Sequence, residues 1–142
     1  MELDPRSRST LGLRRYVRLI IEALGSSGEA FWVQSEQPVT AYLPLDDRVP
    51  AFPDRDLALL WDERHGWCGA IETGAGEDLI VLSYLGTDIL PAPRLVARFA
   101  TELAAGSGPG QAEPPAFRAV DADDDLADRL ADYAPAPELA YQ

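Results

Sequence analysis

The chain has very little cysteine and very little histidine, with one residue of each in a sequence of 142 residues. Because Cys68 is the sole cysteine, an internal disulfide is excluded, and the composition is typical of a reducing compartment. A structural zinc site takes four cysteine or histidine ligands, and a catalytic zinc site usually takes three protein ligands. The sequence therefore argues against a zinc protein.

Long apolar runs are missing as well. A transmembrane helix needs about 20 consecutive apolar residues, and no stretch of the sequence provides them. The segment from Met1 to Arg6 carries charges in place of the apolar core of a signal peptide. These features predict a cytoplasmic protein without membrane binding.

Lysine is absent, so all 12 basic residues are arginine, and 24 acidic residues give a formal net charge of -12. Missing lysine beside abundant alanine, glycine and proline is what a GC-rich genome encodes, and it suggests an actinobacterial source. A net negative charge repels phosphate backbones, so we expect no direct nucleic-acid binding. Residues 1–18 are nevertheless net basic, whereas residues 107–142 are strongly acidic. These two ends either attract each other or a partner, or are ordinary solvated surfaces.

Two segments have the apolar spacing of amphipathic helices. The first carries its stripe from Leu13 to Leu24, with Ser9 or Thr10 as the predicted cap and Gly25 as the predicted end. The second begins at Pro93 and ends at Gly106. Its predicted apolar positions are Leu95, Val96, Phe99 and Leu103.

Between these helices the sequence predicts five short strands. Residues 30–33 and 39–43 form a hairpin around a turn at residues 36–38, and residues 57–61, 67–73 and 79–85 form an antiparallel meander. The last of these strands is apolar on both faces, which predicts a central position in the sheet.

We therefore predict an α+β fold in which an antiparallel sheet of about five strands, a hairpin plus a meander, is covered by an N-terminal and a C-terminal helix. The predicted domain spans residues 9–106, after a flexible N-terminus at residues 1–8. Glycine and proline make residues 107–120 a linker in composition, and residues 121–142 form an acidic tail that can hold a short helix.

Part of the strand region resembles a known family. The stretch from Asp54 to Trp67, DRDLALLWDERHGW, and the stretch from Glu72 to Leu82, ETGAGEDLIVL, are similar to a family of small acidic actinobacterial proteins, domain of unknown function 6292. The resemblance covers roughly Tyr16 to Leu103. It implies the limits of the domain, but it implies no activity and no functional residues.

No motif in the chain assembles into a predicted active site. His65 and Cys68 are better interpreted as a turn residue and a strand residue than as a thiol dyad. Residues 74–76, Gly-Ala-Gly, lack the lysine of a phosphate-binding loop and are predicted to be a hairpin turn. Carboxylate pairs such as Asp62 with Glu63 are expected to be exposed loop acids. We predict no catalytic residues, no metal ligands and no cofactor.

Candidate protein-binding residues come from three places in the sequence. Trp61 is either a core residue or an exposed contact residue. Three arginines form a basic stripe on the first helix, and three apolar residues line one side of the predicted tail helix. The stripe residues are Arg14, Arg15 and Arg18, and the tail residues are Leu126, Leu130 and Tyr133. The tail helix either docks on its own domain, near the arginines, or waits for a groove on a partner.

These observations leave three functional hypotheses. The first is a non-catalytic protein-interaction or regulatory domain, which binds a protein partner or itself, as in a homodimer, through a sheet face, an edge strand or the tail. The second is a small acidic immunity or decoy protein that neutralises a basic partner. The third is an enzyme with an unrecognised carboxylate site.

Overall fold

The computed structural model describes residues 3–4, 6–25, 30–35, 38–73, 79–120 and 122–135. The predicted turn at residues 36–38 falls partly outside this range, and the predicted turn at residues 74–76 falls wholly outside it. The described residues form helices α1 (Arg8–Ala23), α2 (Pro93–Ala104) and α3 (Leu126–Ala131), and strands β1 (Trp32–Gln34), β2 (Thr40–Pro44), β3 (Leu57–Asp62), β4 (Gly66–Glu72) and β5 (Leu79–Tyr84).

The strands form one antiparallel sheet in the order β1-β2-β3-β4-β5. Each strand therefore pairs with its neighbours in the sequence, as expected for a meander with short connections. The turn between β3 and β4 places Trp61 opposite Trp67. Gly66 follows that turn with a φ of 71°, in the left-handed region that glycine favours. The prediction of an α+β fold with a five-stranded antiparallel sheet and flanking helices is confirmed.

The core lies between the helices and one face of the sheet. Trp61 and Trp67 are fully buried on this face, and each indole N–H has a polar partner. Trp61 Nε1 donates to the Ile89 carbonyl oxygen at 2.7 Å, and Trp67 Nε1 donates to the Tyr16 hydroxyl at 3.1 Å. Satisfied donors of this kind allow tryptophan to be buried without an unpaired polar group.

The N-cap of helix α1 lies two residues before Ser9, the first of the two predicted caps. Ser7, and neither Ser9 nor Thr10, is the N-cap, since its side chain accepts a hydrogen bond from the Thr10 N–H at 3.2 Å. Thr10 is instead buried, and its hydroxyl donates to the Asp4 carbonyl oxygen at 2.7 Å. The predicted end of the helix is confirmed, because Gly25 has a φ of 79° just after the last turn.

Strand β5 lies at the edge of the sheet, so the prediction of a central position was wrong. Its apolar residues do not reflect burial on both faces, since Ile80 is 43% exposed and Val81 is 46% exposed. Leu82 interrupts the register between β4 and β5, where Val81 faces Ala70 and Ser83 faces Gly69. Ile80 and Val81 therefore place apolar side chains on the protein surface, whereas Leu82 packs against the core.

Helix α2 starts at Pro93 and is followed by Gly106 with a φ of 78°, as predicted. Phe99 and Leu103 are buried as expected, whereas Leu95 is 41% exposed. Leu103 packs so closely on β4 that a Cβ atom at Gly69 would overlap its side chain.

The segment after α2 lies against the domain and is not a free connection. Gln111 exchanges two backbone hydrogen bonds of 2.8 Å with Tyr84, and the Phe117 N–H donates to the Arg64 carbonyl oxygen at 3.1 Å. Leu3 also contacts the domain, since its N–H donates to the Ser35 carbonyl oxygen at 2.7 Å. That residues 9–106 fold alone, between a flexible N-terminus and a linker, stays a prediction. The tail beyond residue 135 lies outside the described residues.

A buried ion pair fixes this segment to the β3–β4 turn. Glu63 is fully buried, accepts a hydrogen bond from the Val39 N–H at 2.7 Å and pairs with the Arg118 guanidinium. Arg118 also binds Asp124, with 2.6 Å between its Nε and a carboxylate oxygen. Because a buried charge needs a close partner, Arg118 holds the segment before α3 in place.

Candidate functional site

The sheet has a second face, on the side opposite the helices. One row of side chains crosses all five strands on this face, because each residue stands opposite the next in the strand register. We call this row and its surroundings the open face. Its members, in strand order, are Trp32, Tyr42, Leu60, Cys68 and Tyr84.

The open face is apolar and aromatic although much of it is in contact with water. Trp32 is 59% exposed, Tyr42, Leu60 and Tyr84 are half-buried, and Cys68 is buried. The solvated face of an antiparallel sheet is usually polar. An exposed apolar surface on a sheet is characteristic of a binding site.

Two aromatic rings form one end of the open face. The rings of Trp32 and Tyr42 are 5.7 Å apart between centroids and are tilted by 45°. The pKa of Tyr42 is raised to about 12. Burial is the main cause, and a hydrogen bond from the hydroxyl to the Glu72 carboxylate is the next largest. Tyr42 is therefore a neutral donor at physiological pH, and its hydrogen bond fixes the ring beside Trp32.

A depression of about 310 Å³ lies towards the other end of the open face, between β2 and β5. Its walls include Tyr42, Leu60 and Tyr84, and Cys68 also lines it. Burial is the main reason that the pKa of the Tyr84 hydroxyl is raised, and the nearby Asp62 adds to the effect. This volume is at the lower end of the range for ligand pockets.

An ion pair borders the depression. The Arg64 guanidinium donates to both carboxylate oxygens of Asp62, at 3.0 and 2.8 Å, and the Arg64 N–H donates to the same carboxylate at 2.7 Å. Burial alone would raise the pKa of Asp62, but these hydrogen bonds outweigh it and hold the pKa below its usual value. Asp62 is thus a fixed carboxylate with its oxygens occupied.

His65 and Cys68 both line the depression but do not form a nucleophilic pair. His65 Nδ1 lies 2.9 Å from the Pro115 carbonyl oxygen, to which it donates because a carbonyl can only accept. Burial raises the pKa of the Cys68 thiol to about 12, so the thiol is neutral at physiological pH. The structure places His65 in the turn and Cys68 in β4.

Several of the predicted protein-binding residues lie in the core of this chain. Trp61 is fully buried, so of its two predicted roles the structure has the core residue, and its ring has no surface to offer a partner. Leu126 and Leu130 are buried where α3 packs against α1, so the apolar stripe of the tail helix lies on its own domain, and a role of these residues in binding a partner stays a prediction. Tyr133 is half-buried, and its ring lies 4.8 Å from that of Tyr16 between centroids.

The arginines predicted to form a stripe on the first helix have different contacts. Arg15 Nη1 donates to the Tyr133 carbonyl oxygen at 3.3 Å, so it contacts the backbone of the tail. Arg18 lies 5.5 Å above the Phe31 ring, in a cation–π contact. Arg14 is half-buried on the same helix. A shared role of the three guanidinium groups in binding stays a prediction.

The described residues contain no group of three or more histidine, cysteine or acidic side chains placed to hold a metal ion. Within the same part of the chain, no helix is both long enough and apolar enough to cross a membrane. The open face as a unit and the pairing of Glu63 with Arg118 were not predicted from the sequence. The alternation of Tyr42 and Leu60 with buried neighbours was the signal for the open face, whereas nothing local links Glu63 to Arg118.

The fold and the open face define a two-layer α+β domain with an apolar sheet surface. A family model described as a family of unknown function, DUF6292, matches residues 16–102, and the chain belongs to this family. No curated protein and no solved structure matches the chain. The match takes in the whole sheet, the second half of α1 and most of α2, and it leaves α3 outside.

Proposed function

We propose that this chain is a non-catalytic protein-interaction domain that binds a partner on the open face of its sheet. The observation that carries the proposal is the row of aromatic and aliphatic side chains on that face, with Trp32 59% exposed beside Tyr42. Large rigid rings supply binding area at little cost in conformational entropy, and tryptophan and tyrosine are enriched among the residues that dominate binding energy.

The geometry of the open face favours a binding role over a catalytic role. The thiol of Cys68 is neutral, the carboxylate of Asp62 is held by Arg64, and His65 Nδ1 donates to a backbone carbonyl. Covalent catalysis requires a nucleophile within hydrogen-bond reach of a base. Asp62 and His65 are engaged by other groups and the Cys68 thiol is neutral, so the three side chains contribute shape and polarity to a binding surface.

The charge of the chain favours a second candidate function, which is the neutralisation of a basic protein partner. The chain has a formal net charge of -12, and the carboxylates Asp62 and Glu72 border the open face. Arg64 offsets the charge of Asp62 locally. The field of the whole chain would then steer a basic protein towards this surface and raise its association rate, an effect that weakens as salt is added.

The proposal is tested with the purified full chain as bait in a lysate of its native host. Trp32→Ser removes the most exposed ring of the open face, and Leu95→Ser is the matched control on α2, where the side chain is 41% exposed. We expect proteins that are retained by the wild type and by Leu95→Ser but lost with Trp32→Ser. Equal retention by all three baits would contradict binding through the open face.

A further inference from the structure

The end of the open face that carries Trp32 and Tyr42 has the chemistry of a cation-binding surface. Trp32 is 59% exposed, and its ring lies 5.7 Å from the Tyr42 ring between centroids, at a tilt of 45°. The face of an aromatic ring attracts a cation, and tryptophan attracts it most strongly. These two rings, which we call the ring pair, therefore offer a surface on which a cationic side chain can pack.

A carboxylate stands beside the ring pair. The Tyr42 hydroxyl donates a hydrogen bond to Glu72, which is half-buried at the end of β4. Within the ranges that the structure describes, no arginine forms an ion pair with Glu72, whereas Asp62 is paired with Arg64. An ionised carboxylate has about four acceptor positions, so Glu72 can receive the Tyr42 hydroxyl and a cation together.

The surrounding charges direct a cation to this end of the open face. The chain has a formal net charge of -12. Asp56 adds negative charge near the Tyr42 hydroxyl, although Arg48 Nε lies 3.2 Å from its carboxylate and offsets part of that charge. The Arg64 guanidinium borders the depression towards the other end, where it repels an incoming cation. A cation from a partner is therefore best placed at the ring pair.

The geometry favours a guanidinium over an ammonium group. A guanidinium is planar, so it stacks on a ring while its N–H groups reach a carboxylate in parallel hydrogen bonds. An ammonium group is compact and more strongly hydrated, so it gains less from a ring surface. The chain already has one such contact of its own, where Arg18 lies 5.5 Å above the Phe31 ring. An arginine side chain is thus the complement of two rings beside a carboxylate.

We infer that the ring pair and the Glu72 carboxylate form a binding site for an arginine side chain of a basic protein partner. This inference rests on the proposed function, because it names the chemistry of the partner that the open face receives. The methylene stem of the arginine packs on Trp32. Its guanidinium lies over Tyr42 and donates to Glu72.

The first test uses a short synthetic peptide of alternating arginine and glycine, titrated into the full chain labelled with fluorotryptophan. Of the three tryptophans, Trp61 and Trp67 are fully buried, so their fluorine NMR signals are internal controls for the signal of Trp32. We expect the Trp32 signal to shift until the site is saturated, while the other two signals stay in place. The same peptide with citrulline, which keeps the shape of arginine without its charge, should bind about fivefold more weakly or less tightly still. An unshifted Trp32 signal, or equal binding of the citrulline peptide or of a lysine–glycine peptide, would overturn the inference.

Two matched substitutions separate the site from the overall charge. Glu72→Gln and Glu22→Gln each remove one negative charge, but Glu22 is exposed on α1, away from the open face. We expect Glu72→Gln to weaken binding of the arginine peptide by about three- to tenfold, and Glu22→Gln by less than about twofold. Unchanged signals of Trp61 and Trp67 verify that each variant is folded. Equal affinities of the two variants would mean that the peptide responds only to net charge, and would overturn the site.

The lysate experiment distinguishes failure of this site from failure of the proposed function. A partner that is lost with Trp32→Ser should also be retained less by a Glu72→Gln bait than by a Glu22→Gln bait. If Glu72→Gln retains that partner fully, the arginine site is wrong and the binding role of the open face stands. If Trp32→Ser retains every protein that the wild type retains, the proposed function fails, and the arginine site fails with it.

Discussion

Replacing Gly12 with alanine tests whether α3 packs on α1 as the structure has it. Gly12 is buried in the middle of α1, where a Cβ atom would overlap the Leu130 carbonyl oxygen and lie 2.6 Å from the Leu130 carbonyl carbon. Both neighbours are backbone atoms, which cannot rotate away as a side chain can. The substitution therefore forces the two helices apart.

The sign of the change in the free energy of unfolding shows whether α3 packs on α1 or leaves this face of α1 in water. In a solvated helix, alanine in place of glycine raises the free energy of unfolding by about 1 kcal/mol. If α3 is displaced, Leu126 and Leu130, now 1% and 0% exposed, return to water. Each side chain then loses about 1.5–3 kcal/mol of burial free energy. We expect the free energy of unfolding to fall by about 2–5 kcal/mol.

The assay is urea unfolding followed by tryptophan fluorescence. The control is the same substitution in a Leu126→Ser, Leu130→Ser background, in which α3 no longer docks. There, Gly12→Ala should be neutral or stabilising, and the difference between the two backgrounds measures the coupling. If Gly12→Ala raises the stability of the wild-type chain by about 1 kcal/mol, α3 does not pack at Gly12 and the reasoning fails.

Three further predictions concern buried or paired groups. Arg118→Ala leaves the carboxylate of Glu63 buried without its cation. This should lower the free energy of unfolding, measured by urea titration, by about 3–5 kcal/mol, and a loss below about 1 kcal/mol would refute the prediction. A hydrogen bond from Arg129 is the main cause of the lowered pKa of Asp88 in the folded chain. The ionised Asp88 therefore stabilises the fold above pH about 4, the pKa of an aspartate in the unfolded chain, and this stabilisation is lost as the pH falls through the lower pKa of the folded chain. Thermal melts should show Arg129→Gln flattening this acid-side loss, and an unchanged pH dependence would contradict it. Burial raises the pKa of the Cys68 thiol to about 12, so very little reactive thiolate is present at pH 8 and alkylation should be slow until the chain is unfolded. Rapid reaction of the native chain would contradict the burial.

Local pattern was sufficient for the secondary structure because each element has its own period of apolar residues. The stripe from Leu13 to Leu24 and the turn before Gly66 are encoded within a few neighbouring positions. Position in the sheet is not encoded in this way. β5 is as apolar as a central strand, and its place at the edge is visible only in the pairing of the strands.

The contacts of the C-terminal segment could not be predicted from composition. Glycine and proline around Gln111 are typical of a linker, yet Gln111 pairs with Tyr84, and Arg118 reaches Glu63 from 55 positions away. Such pairs depend on the whole fold. Gly12 was an available signal, since a glycine inside a helix often marks the close approach of another backbone.

The binding role of the open face is tested most directly by site-specific photo-cross-linking in the native host. A photoreactive phenylalanine analogue replaces Trp32 in one strain and Leu95 in another, since both side chains are exposed and only the first lies on the open face. We predict a discrete heavier adduct, containing a second protein, from position 32 and none from position 95. No adduct from position 32, or the same adducts from both positions, would contradict the assignment of the open face as the binding surface.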